Sequence, residues 1–273
     1  MKEQKKLTLG MAIFSFIVFV SFGVIILNEK TYVEDILTNK RIDPAKTFTF
    51  LSMYARYLYH EKEMKKSDIV FELDKFMQEN YPRYNPVDWV DYIDKFASKS
   101  HKHPLCKCDG IWVTENELKT ISEIKNKVLE RLAFTILCLA KFNNYRNPSC
   151  NNWISYTNGE IYSMACINTT AFEKDIKFWE LRERGLIEYA KRVDNLNLQI
   201  LYIDDESEKK IFVTDFRKLG YEWRLYKGEK YIRCADCGTL VKQTSNNKKY
   251  CNDCAKISST NSKREYKRRK VKN

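Results

Sequence analysis

The chain has 273 residues, 44% of them hydrophobic and 14% aromatic, which suits about two domains with real cores and excludes a disordered chain. The formal net charge is +12, and eight basic residues against Glu265 alone follow Cys254, so +7 of it lies in the tail. That placement excludes a uniformly basic surface and predicts a local polyanion-binding arm.

At the N-terminus, Met1 to Lys6 is polar, and Met11 to Leu27 is almost wholly apolar. With Leu7 and Leu9 the run approaches the ~20 residues that cross a bilayer, and no small-x-small cleavage site follows it. Residues 1–30 are therefore expected to hold a membrane helix. Lys2, Lys5 and Lys6 compete with Lys30, Lys40 and Arg41 over its orientation. The body is expected to face the cytoplasm, because an outward-facing body would put a thiolate zinc site outside it, and nine cysteines without a regular framework also suit a reducing compartment. A competing reading makes Val24 to Leu27 a buried strand of the body and the upstream residues the product of a misassigned start codon.

Residues 31–108 read as a small helical domain. Its apolar stripes are Val33, Ile36 and Leu37, then Phe50, Met53, Tyr54, Tyr57 and Leu58 after Pro44. Ile69, Leu73, Phe76 and Met77 follow a Ser67 cap, and Val87, Val90, Tyr92, Ile93 and Phe96 follow Asn85-Pro86. His101, His103, Cys106 and Cys108 offer four metal-binding atoms in eight residues. Ligands so crowded rarely wrap one tetrahedral ion, so a loop is expected there.

Residues 109–205 carry a more specific order. One long helix is expected from about Glu115 to Lys141, with Cys138 in the core, then an Asn-rich loop holding Cys150, buried Trp153 and Ile154, and a short helix over 161–165. Asn168-Thr169-Thr170 caps a third helix expected to turn Phe172, Ile176, Trp179 and Leu181 to the core and to end at Gly185. Two alternating runs, 186–190 and 198–202, form a hairpin around Asp194-Asn195. This is the order of a winged helix-turn-helix. The third helix would be its recognition element, with Thr169, Thr170, Lys174 and Lys177 outward and Lys191, Arg192 and Asn195 on the wing. Residues 206–230 read as a linker with strand at 211–213 and 223–226.

Cys234, Cys237, Cys251 and Cys254 spell C-x2-C-x13-C-x2-C within residues 231–256. Each C-x2-C pair supplies half a tetrahedron, and two pairs on facing hairpins close a structural zinc site with no open position. Gly238 follows the first pair, where a knuckle needs positive φ. Thr239 to Val241 and Lys249-Tyr250 are expected as its strands. The expected fold class is mainly α with small β elements: a helical N-terminal domain, a winged helix-turn-helix, a C-terminal zinc ribbon and a basic tail over 257–273.

Several segments resemble uncharacterised proteins carried by phages and mobile elements of Gram-positive bacteria. They are Glu130 to Thr135, Cys138 to Lys141, Trp153, Gly185 to Glu188, Asp215 to Tyr221 and the Tyr250-Cys251-x2-Cys254-Ala255 ending. The resemblance covers about residues 24 to 260 and implies a winged-helix-like region followed by a zinc ribbon, without implying an activity. It begins near Ile25, behind the apolar run.

The function expected is nucleic-acid binding, DNA ahead of RNA, with one structural Zn2+. Lys263, Arg264, Lys267, Arg268, Arg269 and Lys270 would contact phosphates, and the third helix would face bases. The alternative is a membrane-tethered module that docks lipid or a protein partner. No glycine-rich phosphate loop, G-x-S-x-G or H-E-x-x-H is present, so no catalysis is expected. Asp204-Asp205-Glu206 and Asp91 with Asp94 are acidic clusters that could hold magnesium, and solvated loop and helix faces explain them about as well.

Overall fold

A computed structural model describes residues 25–40, 46–191 and 197–260. Pro44, the Asp194-Asn195 turn, Arg192 and the tail bases from Lys263 to Lys270 lie outside these residues.

Four helices build the first layer: α1 (Glu29–Asn39), α2 (Thr47–His60), α3 (Lys66–Asn80) and α4 (Pro86–Lys99). Asn28 caps α1 through the Thr31 N–H, and Asn85 caps α4 ahead of Pro86. Ser67 falls inside α3 and donates to Asp68 instead of capping. Val33, Phe50, Leu51, Ile69, Leu73 and Met77 fill the core between these helices. Val87, Val90 and Tyr92 of α4 are exposed, against expectation; α4 buries Ile93 and Ala97 and packs Trp89 and Phe96 on the core instead.

The second, larger core surrounds α6 (Lys127–Arg146), preceded by β1 (Ile111–Thr114) and α5 (Glu115–Glu123). The single helix expected from 115 to 141 is two helices. Ile124 ends the first, Lys125 turns back at φ 55°, and Asn126 accepts from the Val128 and Leu129 N–H groups to start the second. The break lets α5 fold against α6 and buries Glu117 beneath Lys141. Lys141 Nζ donates to both Glu117 carboxylate oxygens at 2.8 and 3.0 Å, and the Thr114 and Asp204 N–H groups donate to the same carboxylate.

After a 3-10 turn at Pro148–Cys150 come β2 (Trp153–Ile154), α7 (Asn158–Met164), α8 (Ala171–Glu183), β3 (Ile187–Tyr189) and β4 (Leu198–Ile200). β4 lies between β2 and β3, antiparallel to both. Thr157 and Thr170 head α7 and α8 with capping boxes to Glu160 and Glu173, and Gly185 (φ 69°) takes the left-handed turn after α8.

The stretch expected as a linker is part of this core. β5 (Lys209–Val213) pairs with β1, and residues 219–226 form α9 (Leu219–Tyr226), a helix where strand was expected over 223–226. Leu219 and Trp223, four residues apart, are buried against α6, and Trp223 Nε1 donates to Glu130 (3.1 Å). Gly220 sits so near the Ala165 carbonyl that a Cβ would overlap it. The chain then forms β6 (Tyr231–Arg233) and β7 (Leu240–Lys242), an antiparallel pair.

The two cores meet along a seam. Glu29 N–H donates to the Cys106 carbonyl and Cys108 N–H to that of Leu27, while the Glu29 carboxylate accepts from Cys106 N–H. Cys108 is buried there and Cys106 packs beside it. Among the described residues His101, His103, Cys106 and Cys108 form no metal cluster.

The same seam corrects the membrane expectation. Leu27 is buried in the larger core, Ile25 packs against it, and Ile26 packs against the smaller one. Side chains committed to a protein core are not available to lipid, so the end of the span Met11–Leu27 is not membrane helix. Among the described residues no helix is long and apolar enough to cross a membrane. The anchored, cytoplasm-facing placement drawn from that span falls with it. Residues 11–24 lie outside the described residues.

Candidate metal centre and basic module

Cys234 and Cys237 stand on the knuckle between β6 and β7, where Gly238 has φ 71° and donates its N–H to the Cys234 carbonyl. The second pair differs from expectation. Residues 252–260 are helical, so Cys251 precedes and Cys254 lies within the first turn of a helix, where a second hairpin was expected. A helix start offers unpaired N–H groups and a partial positive charge, which favour thiolates as well as a hairpin does. Cys254 N–H reaches Cys251 Sγ (3.4 Å), and Cys251 N–H reaches Cys234 Sγ (3.2 Å).

The four sulfurs lie within 4.8 Å of one another, and Cys237 and Cys251 Sγ are 3.8 Å apart. A tetrahedron with metal–sulfur bonds of ~2.3 Å has edges of about 3.8 Å, so the donors fit one ion with no position left over. Burial opposes ionisation of Cys234, but the N–H groups of Cys237, Cys251 and Asp236 outweigh it and hold the thiol down at about 6. Cys237 is also lowered: burial resists, while the Thr239 hydroxyl and N–H favour the thiolate. Cys254 is pushed up, first by its hydrogen bond to the Asp236 carboxylate. Crowded thiols share protons unevenly, and an ion would take their place.

The module is anchored to the body through α9. Arg217 Nη2 donates to the Cys237 carbonyl (2.6 Å) while Asp215 holds the same guanidinium, Arg233 pairs with buried Glu222, and Tyr221 packs on Tyr231. None of these contacts was legible in the sequence, because their partners come from the stretch read as linker.

Charge is segregated with the module. From Lys227 to Asn273 there are fourteen basic and four acidic side chains, which leaves +10 of the chain's +12 there and +2 for everything before it.

The third-helix candidates sit elsewhere. The Thr169 and Thr170 hydroxyls are both bonded to Glu173, Lys174 Nζ lies over the Tyr162 ring, and Lys177 Nζ reaches the Glu173 carbonyl. Lys191 is exposed, two residues beyond the end of β3. The sequence expectation for the core face of α8 is overturned in part. Leu181 is buried, joined by Phe178, but Phe172, Ile176 and Trp179 are 74%, 37% and 53% exposed. They make an outward stripe bordered by Glu173, Asp175, Glu180, Arg182 and Glu183.

Three of the acidic groups have structural partners. Asp204 accepts from Asn116 and from the Glu206 and Ser207 N–H groups, Asp205 pairs with Lys141, and Asp94 pairs with Lys66.

Compared with known proteins, the chain matches no family model, no curated protein and no solved structure.

Proposed function

We propose that this is a nucleic-acid-binding protein of phage or mobile-element type, whose C-terminal zinc module presents a basic arm to phosphates. The supporting observation is the charge segregation: a near-neutral body carries a module and tail with almost the whole net charge. Zinc is the ion favoured by four thiolates in a closed tetrahedron. The order α6–β2–α7–α8–β3–β4, with β4 between the other two strands, supports a winged-helix reading of the middle of the chain. DNA stands ahead of RNA on that reading.

Neutralising about six phosphates implies duplex binding that weakens roughly 10³-fold between 50 and 200 mM salt. Mobility shifts of the full chain across that range measure the slope. Replacing Lys267, Arg268, Arg269 and Lys270 by glutamine should flatten it by about four phosphate equivalents. A slope unmoved by the quadruple change rules the arm out.

The α8 stripe supports a second role for the winged helix, docking a protein. An apolar ridge framed by four carboxylates and one guanidinium repels phosphates and suits an amphipathic partner helix with an apolar face flanked by lysine and arginine. Changing Phe172 and Trp179 to serine together should leave duplex affinity within about twofold and abolish binding of a labelled leucine–lysine amphipathic peptide. A tenfold loss of duplex affinity would instead place α8 on DNA, and unchanged peptide binding would end the docking role.

A further inference from the structure

The outer face of the three-stranded sheet carries a row of three unlike side chains. Register sets Trp153 opposite Gln199 and Gln199 opposite Glu188, one across each strand. The next row, Ile154 with Leu198, is buried in the core, so strand alternation sends the first row outward. With Tyr189, Ala190 and Lys191 these three line an open cavity of about 540 Å³, within the ~300–1,000 Å³ range of small-ligand sites.

We propose that this cavity binds guanine, as a nucleotide or as an unpaired base in a single strand. One Nε2–H of Gln199 is held by the Asn151 carbonyl (3.3 Å), which leaves its Oε1 acceptor and its second N–H for a ligand. Glu188, a carboxylate on the neighbouring strand, adds acceptor oxygens. Two acceptors side by side suit a ligand edge with two adjacent donors. Guanine has them in N1–H and the N2 amino group. Adenine sets a donor beside an acceptor, cytosine a donor beside two acceptors, and uracil one donor between two acceptors. Trp153 supplies the flat apolar surface on which a base stacks, and Lys191 supplies a cation for the attached phosphate. The site deepens the nucleic-acid reading only where the base belongs to a strand. Binding of the free nucleotide is independent of the basic arm.

The test is calorimetric titration of the metal-loaded full chain with GMP, AMP, CMP and UMP, and with an oligothymidylate with and without one central dG. GMP should bind at least about tenfold more tightly than the other three. Glu188→Gln, which turns one acceptor into a mixed group on an exposed strand residue, should erase that preference, and Trp153→Ala should weaken all stacking by about tenfold or more. Unchanged thermal unfolding of Glu188→Gln separates lost recognition from lost folding. The Lys267, Arg268, Arg269 and Lys270 glutamine variant should bind GMP unchanged, which keeps this site distinct from failure of the arm. GMP binding without preference for the dG-containing strand would assign the site to free nucleotide, and preference in both would assign it to either source. No saturable GMP binding, equal affinity for all four nucleotides, or a guanine preference that survives Glu188→Gln would overturn the proposal.

Discussion

If the four cysteines hold zinc as proposed, Cys251→Ser should abolish zinc binding and unfold the module from Tyr231 onward while the helical body stays folded. A four-thiolate site supplies about 10–16 kcal/mol of apparent binding free energy at neutral pH, far more than a 25-residue module obtains from Tyr231, Leu240 and little other buried apolar surface. Metal analysis should fall from one zinc per chain to none, and protease should cut the variant within residues 231–260 and spare α1 to α8. Zinc uptake by the wild-type apoprotein should release protons, since thiols such as Cys254 are protonated before the ion arrives. Retention of stoichiometric zinc by Cys251→Ser would show that the Cys251 sulfur is not a ligand. Global unfolding would show that α9 depends on the module as much as the module on α9.

Lys141→Met should cost about 3–5 kcal/mol of stability, because it leaves the Glu117 carboxylate buried without its cation. Glu117 is fully buried, and its remaining donors are the N–H groups of Thr114 and Asp204. The double variant Glu117→Gln with Lys141→Met should recover much of the loss, since a neutral amide can still accept from those N–H groups. Urea unfolding of the single and double variants decides it. A loss below about 1 kcal/mol for Lys141→Met would mean that Glu117 takes up a proton or reaches water when its partner is removed.

Local signals were legible where physics is local. Asn85-Pro86 starts α4, Thr170 with Glu173 heads α8, Gly185 ends it, and the C-x2-C spacing pairs the four sulfurs. Where a second element decides the outcome, the pattern misled. Trp223 to Tyr226 alternates like a strand but is helical, because Leu219 and Trp223 share one face against α6. Phe172, Ile176 and Trp179 repeat at helical spacing like a core stripe but face outward, because Phe178 and Leu181 occupy the side toward the core. Lys125 gave no sign of breaking a helix; the break lets α5 bury Leu118, Ile121 and the Glu117–Lys141 pair.

The amino-acid sequence by itself therefore determined the helical character, the four-cysteine cluster and the concentration of positive charge at the C-terminal end, since each depends on residues near one another along the chain. The tertiary structure decided that residues 25–27 belong to the protein core and that the supposed linker anchors the metal module. It also placed the second cysteine pair on a helix and brought Trp153, Gln199 and Glu188 into one row. Burial and cross-strand register depend on which distant segment lies opposite, and no local pattern encodes that partner.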